Sequence, residues 1–466
     1  MRVLNAATDE QVNGRVSRIA EMKVLRAHYY FELSRLFNKI PYFDENVEIS
    51  QYPDIPNNEF TRDEILSMLA KEMLDAAEQL PASQPEVGRI HKYIALAYAA
   101  KIKLYQAYQQ DEITHAVTSI NKELLREVVS LCDQVTASNR YGLLDDFQGL
   151  DLVTNENGKE SVFAIQYSMN DGTESAGRIN WSNLLNSPGG GSPYGGDGFF
   201  LPSQDLINAY QTDANGLPDF NYQSKSDYSW AVLNNGVYTL QNTTPNVDPR
   251  LDFVVGRPTI TWKTYPDKPC EGWVRDKDTY GYNCAKRFWV SPESSDMFNG
   301  WPFGASQLNW QIIRYADILL WKAEALIELN EGNGLETARD LINQIRNRAR
   351  NSAYVKDFND HSKYAANYLV NPYPADVWNQ DYARQALRWE TRLEKALEGE
   401  RFFDLVRWGI VETTMNKYIT AESDNRIYYA NAHFTGGKDE YYPVPNNQYG
   451  FSGGKYVQNP GYAPFN

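Results

Sequence analysis

The sequence predicts a mainly α-helical protein. Degenerate, tetratricopeptide-like helix hairpins form a frame, and a large irregular, loop-rich module carrying short strands is inserted into it. Three observations predict this. Apolar residues recur at three- and four-residue spacing towards both ends of the chain. From Tyr141 to about Gln307 that period gives way to Gly, Asn, Pro, Ser and aromatic residues. The helical segments also come in pairs joined by short polar turns, at a spacing of roughly 34 residues. The expected division is 1–139 for the N-terminal hairpins, 140–309 for the module, and 310–466 for the C-terminal hairpins and a closing loop segment, all within one compact unit.

The elements follow in order. Arg15 to Phe37 reads as an amphipathic helix, with Ile19, Met22, Leu25, Tyr29, Leu33 and Leu36 in phase. Phe60 to Leu80 reads similarly, and Thr61 followed by Glu64 is a capping-box pattern. Helices are expected from Val87 to Tyr108 and from Asn121 to Ser138. In the latter, Cys132 stands in line with Val128 and Val135 as a small buried thiol. Within the module, Ser161 to Tyr167 and Leu251 to Val255 look like strands and Ser203 to Tyr210 like a helix. The glycine-rich SPGGGSPYGGDG, Ser187 to Gly198, reads as a flexible surface loop. Helices return at Trp310 to Leu329, where Ile313, Ala316, Leu320, Ala323 and Ile327 make a core stripe. Gly334 to Arg350 and one long helix from Tyr382 to Trp408 complete the frame. In that last helix Glu398, Arg401, Asp404 and Arg407 are spaced for ion pairs with one another or with Arg314. Glu398 and Glu400, two residues apart, do not share a helix face and so cannot flank one scissile bond.

Composition narrows the function. With 45 Lys+Arg against 60 Asp+Glu the net charge is −15. That balance argues against a nucleic-acid partner and against electrostatic docking on anionic lipid. The most apolar run, Ile312 to Leu329, is broken by Arg314, Asp317, Lys322 and Glu324, which is not the pattern of a membrane span. No phosphate-cradling GxxxxGK[ST], GxSxG elbow or HExxH is present, and the five histidines lack metal-ligand spacing. The expectation is a protein without catalytic residues, metal or cofactor. Aromatic residues, by contrast, reach 13%, with 32 Tyr and 11 Trp. Their flat faces stack on the C–H faces of sugars, while polar neighbours satisfy the hydroxyls. Cys270 and Cys284 bracket an aromatic loop; a disulfide in an oxidising compartment and two free thiols both fit.

Five blocks carry a resemblance. EMKVLRAHYYFELSRLFNKIPYF (Glu21 to Phe43), PSQDLINAYQTDANGLP (Pro202 to Pro218), IIRYADILLWKAEALIELNEG (Ile312 to Gly332) with ARDLINQIRNRA (Ala338 to Ala349), LRWETRLEKALEGERFFDLVRWG (Leu387 to Gly409) and YYPVPNNQ…QNPGY (Tyr441 to Tyr462) stand in that order. Together with DPRL (Asp248 to Leu251) they resemble the SusD/RagB family of outer-membrane nutrient-uptake lipoproteins. The resemblance implies a surface protein that captures an oligosaccharide and passes it to a SusC-like, TonB-dependent outer-membrane transporter. It also implies lipid anchoring at the outer membrane, although no lipoprotein signal or anchor cysteine stands ahead of Arg15, so the chain reads as truncated at its front. Relatives place glycan-stacking aromatics upstream of the RYADILL-like helix, which implies Trp273, Tyr280 and Tyr282 here, with Arg275 and Asn283 as polar partners. The possible Cys270–Cys284 link would hold this loop. The rival readings are a glycoside hydrolase and a protein-interaction scaffold without a sugar site.

Overall fold

A computed structural model describes residues 1–173, 177–265, 271–298 and 304–465. After a short α1 (Arg2–Ala6), four helices run back and forth: α2 (Arg15–Phe37), α3 (Arg62–Gln79), α4 (Lys92–Ala107) and α5 (Lys122–Thr136). Thr61 caps α3 with Glu64 in the expected reciprocal box. Asn121 caps α5 by accepting the Glu123 and Leu124 amides. Between α4 and α5 the chain makes a small antiparallel pair, β1 (Tyr108–Gln110) with β2 (Val117–Ile120).

The module follows: β3 (Ser161–Ile165), α6 (Asn183–Asn186), α7 (Gln204–Ala209), β4 (Gln211–Thr212), the hairpin β5 (Trp230–Asn234) and β6 (Val237–Gln241), β7 (Asn246–Val247), α8 (Arg250–Val254), β8 (Val255–Gly256), α9 (Lys277–Tyr280) and β9 (Cys284–Ala285). The second half of the frame starts with β10 (Trp310–Arg314), antiparallel to β3. It continues through α10 (Tyr315–Leu329), α11 (Gly334–Asn351), α12 (Gln380–Glu394), α13 (Arg401–Arg407), α14 (Val411–Ser423) and α15 (Asn446–Phe451).

The two ends of the frame share one core. Val24, Phe31, Leu69, Met73, Tyr98, Ile102, Val128 and Cys132 pack in the same cluster as Ile318, Trp321 and Trp408, because α5 lies against α10. The other side of α10, Ala316, Leu320, Ala323 and Ile327, packs on α11 and α12. Burying both faces of α10 explains why its apolar positions outnumber those of an ordinary surface helix.

Several expectations are corrected. The buried face of α2 is Ala20, Val24, Ala27 and Phe31, and Tyr29 is 68% exposed; the small alanines rotate the helix towards α3. Helix α4 starts at Lys92, later than expected. Trp310 to Arg314 is a strand: it pairs with β3, and the Asp317 carboxylate takes the Arg314 amide at 2.7 Å, so the helix begins at Tyr315. Leu251 to Val254 is helical, started by Asp248 accepting the Arg250 amide at 3.0 Å. Every residue from Arg250 to Gly256 is buried, so no period could separate helix from strand there. The long terminal helix is two, broken where Leu397 and Gly399 take φ of 67° and 82°.

That break sorts carboxylates. Glu398 reaches Arg314 at 2.7 Å, whereas Glu400 reaches Arg35 at 2.7 Å and Lys101 at 3.2 Å on the other half of the frame. The fully buried Glu394 pairs with Arg314 at 3.0 Å, Arg250 at 3.2 Å and Arg348. Arg250 also meets Glu390 at 2.6 Å and Asp248 at 2.7 Å, and Arg314 meets Glu160 at 2.9 Å. Burial pushes the Glu394 carboxyl up, but Arg348, Arg314 and Arg250 outweigh it and bring the value down to about 2.

A depressed carboxyl stabilises the fold above its unfolded value and loses that contribution as the pH falls towards the folded value. Denaturant unfolding is therefore expected to weaken steeply between about pH 4.5 and 2. Glu394→Gln should lose about 3–5 kcal/mol at pH 7, because it leaves buried guanidinium charge uncompensated. It should also flatten the acid limb. A variant that unfolds like the parent at pH 7 would contradict this account.

Candidate ligand-binding face

The site is built on the loop that the sequence singled out, and its five residues divide. Trp273 is only 3% exposed. Its ring lies 4.9 Å from Trp262, 5.8 Å from Tyr265 and 6.2 Å from Tyr194, inside an aromatic core with Trp289 and Val290. It is the floor of the module and presents no face for stacking. Asn283, 7% exposed, is likewise internal. Arg275 is on the surface but paired with Asp197 at 3.0 Å and donates to the Gly196 carbonyl at 2.9 Å. Tyr282 is half-buried, edge-on to Tyr238 at 5.6 Å. Of the three rings Tyr280 alone is open, 47% exposed. Cys284 is buried in β9, while its possible partner Cys270 lies outside the described residues.

The glycine-rich loop corrects a further expectation: it is packed. The Tyr194 hydroxyl donates to the Val290 carbonyl at 2.6 Å and accepts from the Trp262 indole at 3.0 Å. The Gly191 amide donates to the Gly272 carbonyl at 3.1 Å. At Gly190, with φ 58°, a Cβ would collide with that same carbonyl, so glycine is what permits the loop to close over Trp273.

Tyr280 belongs to a larger aromatic surface. Asp276 caps α9 by accepting the Thr279 amide at 3.1 Å, and Gly281 (φ 81°) ends the turn, leaving Tyr280 at its tip. Across from it Tyr428, 50% exposed, tilts against the Tyr280 ring at 5.9 Å. Tyr429 lies 4.6 Å from Tyr428, and its hydroxyl is 3.0 Å from that of Tyr418 on α14. Tyr238 on the β5–β6 hairpin supports Tyr282 and carries the Lys277 ammonium over its ring at 5.6 Å. Two segments nearly 150 residues apart thus meet to form one tyrosine face. Sequence reasoning missed Tyr418, Tyr428, Tyr429 and Arg426. The signal was RIYY, Arg426 to Tyr429, an aromatic cluster in an otherwise polar stretch.

A cleft of about 950 Å³ opens elsewhere and is of another kind. Several of its charges are paired with one another: Asp151 takes Lys263 at 3.0 Å and Arg287 at 3.1 Å, and Asp145 takes Lys159 at 2.9 Å. Among the described residues no Tyr or Trp lines it. Among the described residues no group of three or more His, Cys, Asp or Glu is arranged to hold a metal ion, and no helix is long and apolar enough to cross a membrane.

Trp273 and Tyr280 should separate cleanly on mutation. Trp273→Ala is expected to cost about 3–5 kcal/mol in denaturant unfolding, as for other buried aromatics. Tyr280→Ala should stay within about 0.5 kcal/mol of the parent. Equal effects would refute the division of the loop into floor and face.

Comparison with known proteins agrees with this architecture. The SusD family profile matches residues 159–462. A SusD-like protein of Bacteroides ovatus is 22% identical over 87% of this chain, and the match spans 62% of that relative's length. SusD-like protein P2 of Formosa agariphila is 24% identical over 99% of this chain and 77% of its own. Among solved structures, a SusD-like carbohydrate binding protein of Bacteroides fragilis superposes with a TM-score of 0.68 at 21% identity, covering 94% of this chain and 79% of that one. A laminarin binding SusD-like protein gives 0.55 at 21% identity, covering 95% and 78%. The helical frame, the inserted module and the family profile together make this chain a member of the SusD family.

Proposed function

We propose that this chain captures oligosaccharides on the tyrosine face and hands them, unmodified, to a TonB-dependent outer-membrane transporter. The observation that carries the reading is the pairing of exposed Tyr280 and Tyr428 at 5.9 Å on a rigid support. Rings set this way offer apolar faces for the C–H surface of a sugar, and their rigidity keeps the entropy cost of binding low. Membership of the SusD family supports carbohydrate as the ligand class, as does the likeness to a protein described as laminarin binding. Family membership also supports location at the cell surface, with the helical frame turned to the transporter and a lipid anchor holding the protein to the outer membrane. Trp273, Arg275, Tyr282 and Asn283 act here as the scaffold beneath the face, and a Cys270–Cys284 link would tighten it.

A glycan array followed by affinity electrophoresis on the strongest hit tests the reading. Tyr280→Ala and Tyr428→Ala should each weaken binding about tenfold, the scale of one lost stacking contact, with unfolding unchanged. Binding that survives both substitutions would place the site elsewhere. Coexpression with a TonB-dependent transporter encoded beside this chain should yield a complex that survives purification; failure of the two to associate would remove the delivery step.

A further inference from the structure

Resting on the capture reading, we infer that Arg426 makes the tyrosine face selective for anionic sugars, those carrying a carboxylate or a sulfate ester. The residue is placed by the end of α14. The Glu422 carbonyl accepts the backbone amides of Asn425 at 2.9 Å and Arg426 at 2.7 Å, turning the chain back towards α9. One guanidinium nitrogen, Nη1, donates to the Asn425 carbonyl at 2.7 Å. The other, Nη2, lies against Gly281, where a Cβ on any other residue would overlap the guanidinium. Gly281 therefore serves two ends: its φ of 81° finishes α9, and its missing side chain makes a seat for the cation beside Tyr280.

The seated cation makes no direct ion pair among the described residues, although the Glu422 carboxyl acts on it through space. Among the described residues no carboxylate oxygen lies within 4.0 Å of it. Arg275, in the inserted module, shows the contrast by pairing with Asp197 at 3.0 Å. Glu422, one helical turn earlier, accepts the Asp205 amide on one oxygen at 2.5 Å, and Asp227 accepts from Asn208 at 2.7 Å and Asn425 at 3.3 Å. A guanidinium has five N–H donors in a planar fork, so most remain for a ligand. That fork matches a carboxylate or sulfate bidentately, which a neutral hydroxyl cannot do. The net charge of −15 repels anions from the chain as a whole. At physiological salt charges beyond about 8 Å are screened, so the adjacent guanidinium governs the contact.

The test is an array holding neutral, uronate and sulfated oligosaccharides, probed at physiological salt with the parent protein and Arg426→Gln. Hits should be enriched in acidic members. Arg426→Gln should weaken them by about tenfold to a hundredfold, the loss of a charge-assisted pair, and change neutral binding less than twofold. Arg426→Lys should recover only part. Carboxyl-reduced and desulfated versions of each hit then tell a uronate from a sulfate ester. Neutral hits that depend on Tyr280 but ignore Arg426 would overturn this inference and leave capture standing. Absence of any hit that depends on Tyr280 would overturn both.

Discussion

A single buried carboxylate, Glu394, holds the architecture together. It sits at the end of α12 and is shared by guanidiniums from the start of α10, from α11 and from α8 in the module. Each arginine then has a further acid: Glu160 ahead of β3, Glu390 one turn back, Asp248 before α8. Ions of this kind are tolerated inside a protein only where every partner is in place, since desolvating each costs several kcal/mol. The network is therefore less a source of net stability than a condition on geometry. It accepts the module in one pose against the frame and penalises others.

That condition reaches the candidate site through two layers. The second core of the module packs Ile207, Tyr210, Leu251 and Val254 on Leu393 of α12, beside the ion network. Above it, Trp262, Trp273 and Tyr194 form the aromatic floor under the glycine-rich loop. Tyr280 stands at the tip of the capped turn α9, and Tyr428 leans on Tyr429, whose hydroxyl meets that of Tyr418 on α14. A binding face made of rings on a fixed support spends little conformational entropy on capturing a flexible sugar chain.

The sequence made the frame legible because amphipathic period survives wherever one face of a helix is wet. Where burial is complete the period vanishes, and the reading failed there: Leu251 to Val255 reads as a strand, but Arg250–Val254 is a helix. It failed again at Trp310 to Arg314, where pairing with a distant strand overrides the local pattern. Helix α14 was overlooked although Val411, Met415 and Ile419 recur at four-residue spacing. The site was half legible. An aromatic-rich loop announces rings, but composition cannot tell Trp273, which packs, from Tyr280, which does not. The other half, Tyr428 and Arg426, comes from a segment that only the folded chain brings near.

The shared core of α2–α5 and α10 also carries a consequence for how the chain folds. The first four frame helices are complete by Thr136, yet the surface of α10 they cover begins only at Tyr315. Everything between must be made and gathered in before that core can close. Contacts of such long sequence separation are costly to form early and slow folding. During synthesis the leading helices wait with an open apolar flank, the situation in which chaperones are needed most. The insertion that supplies the binding face thus also sets the order of assembly: the frame shuts last.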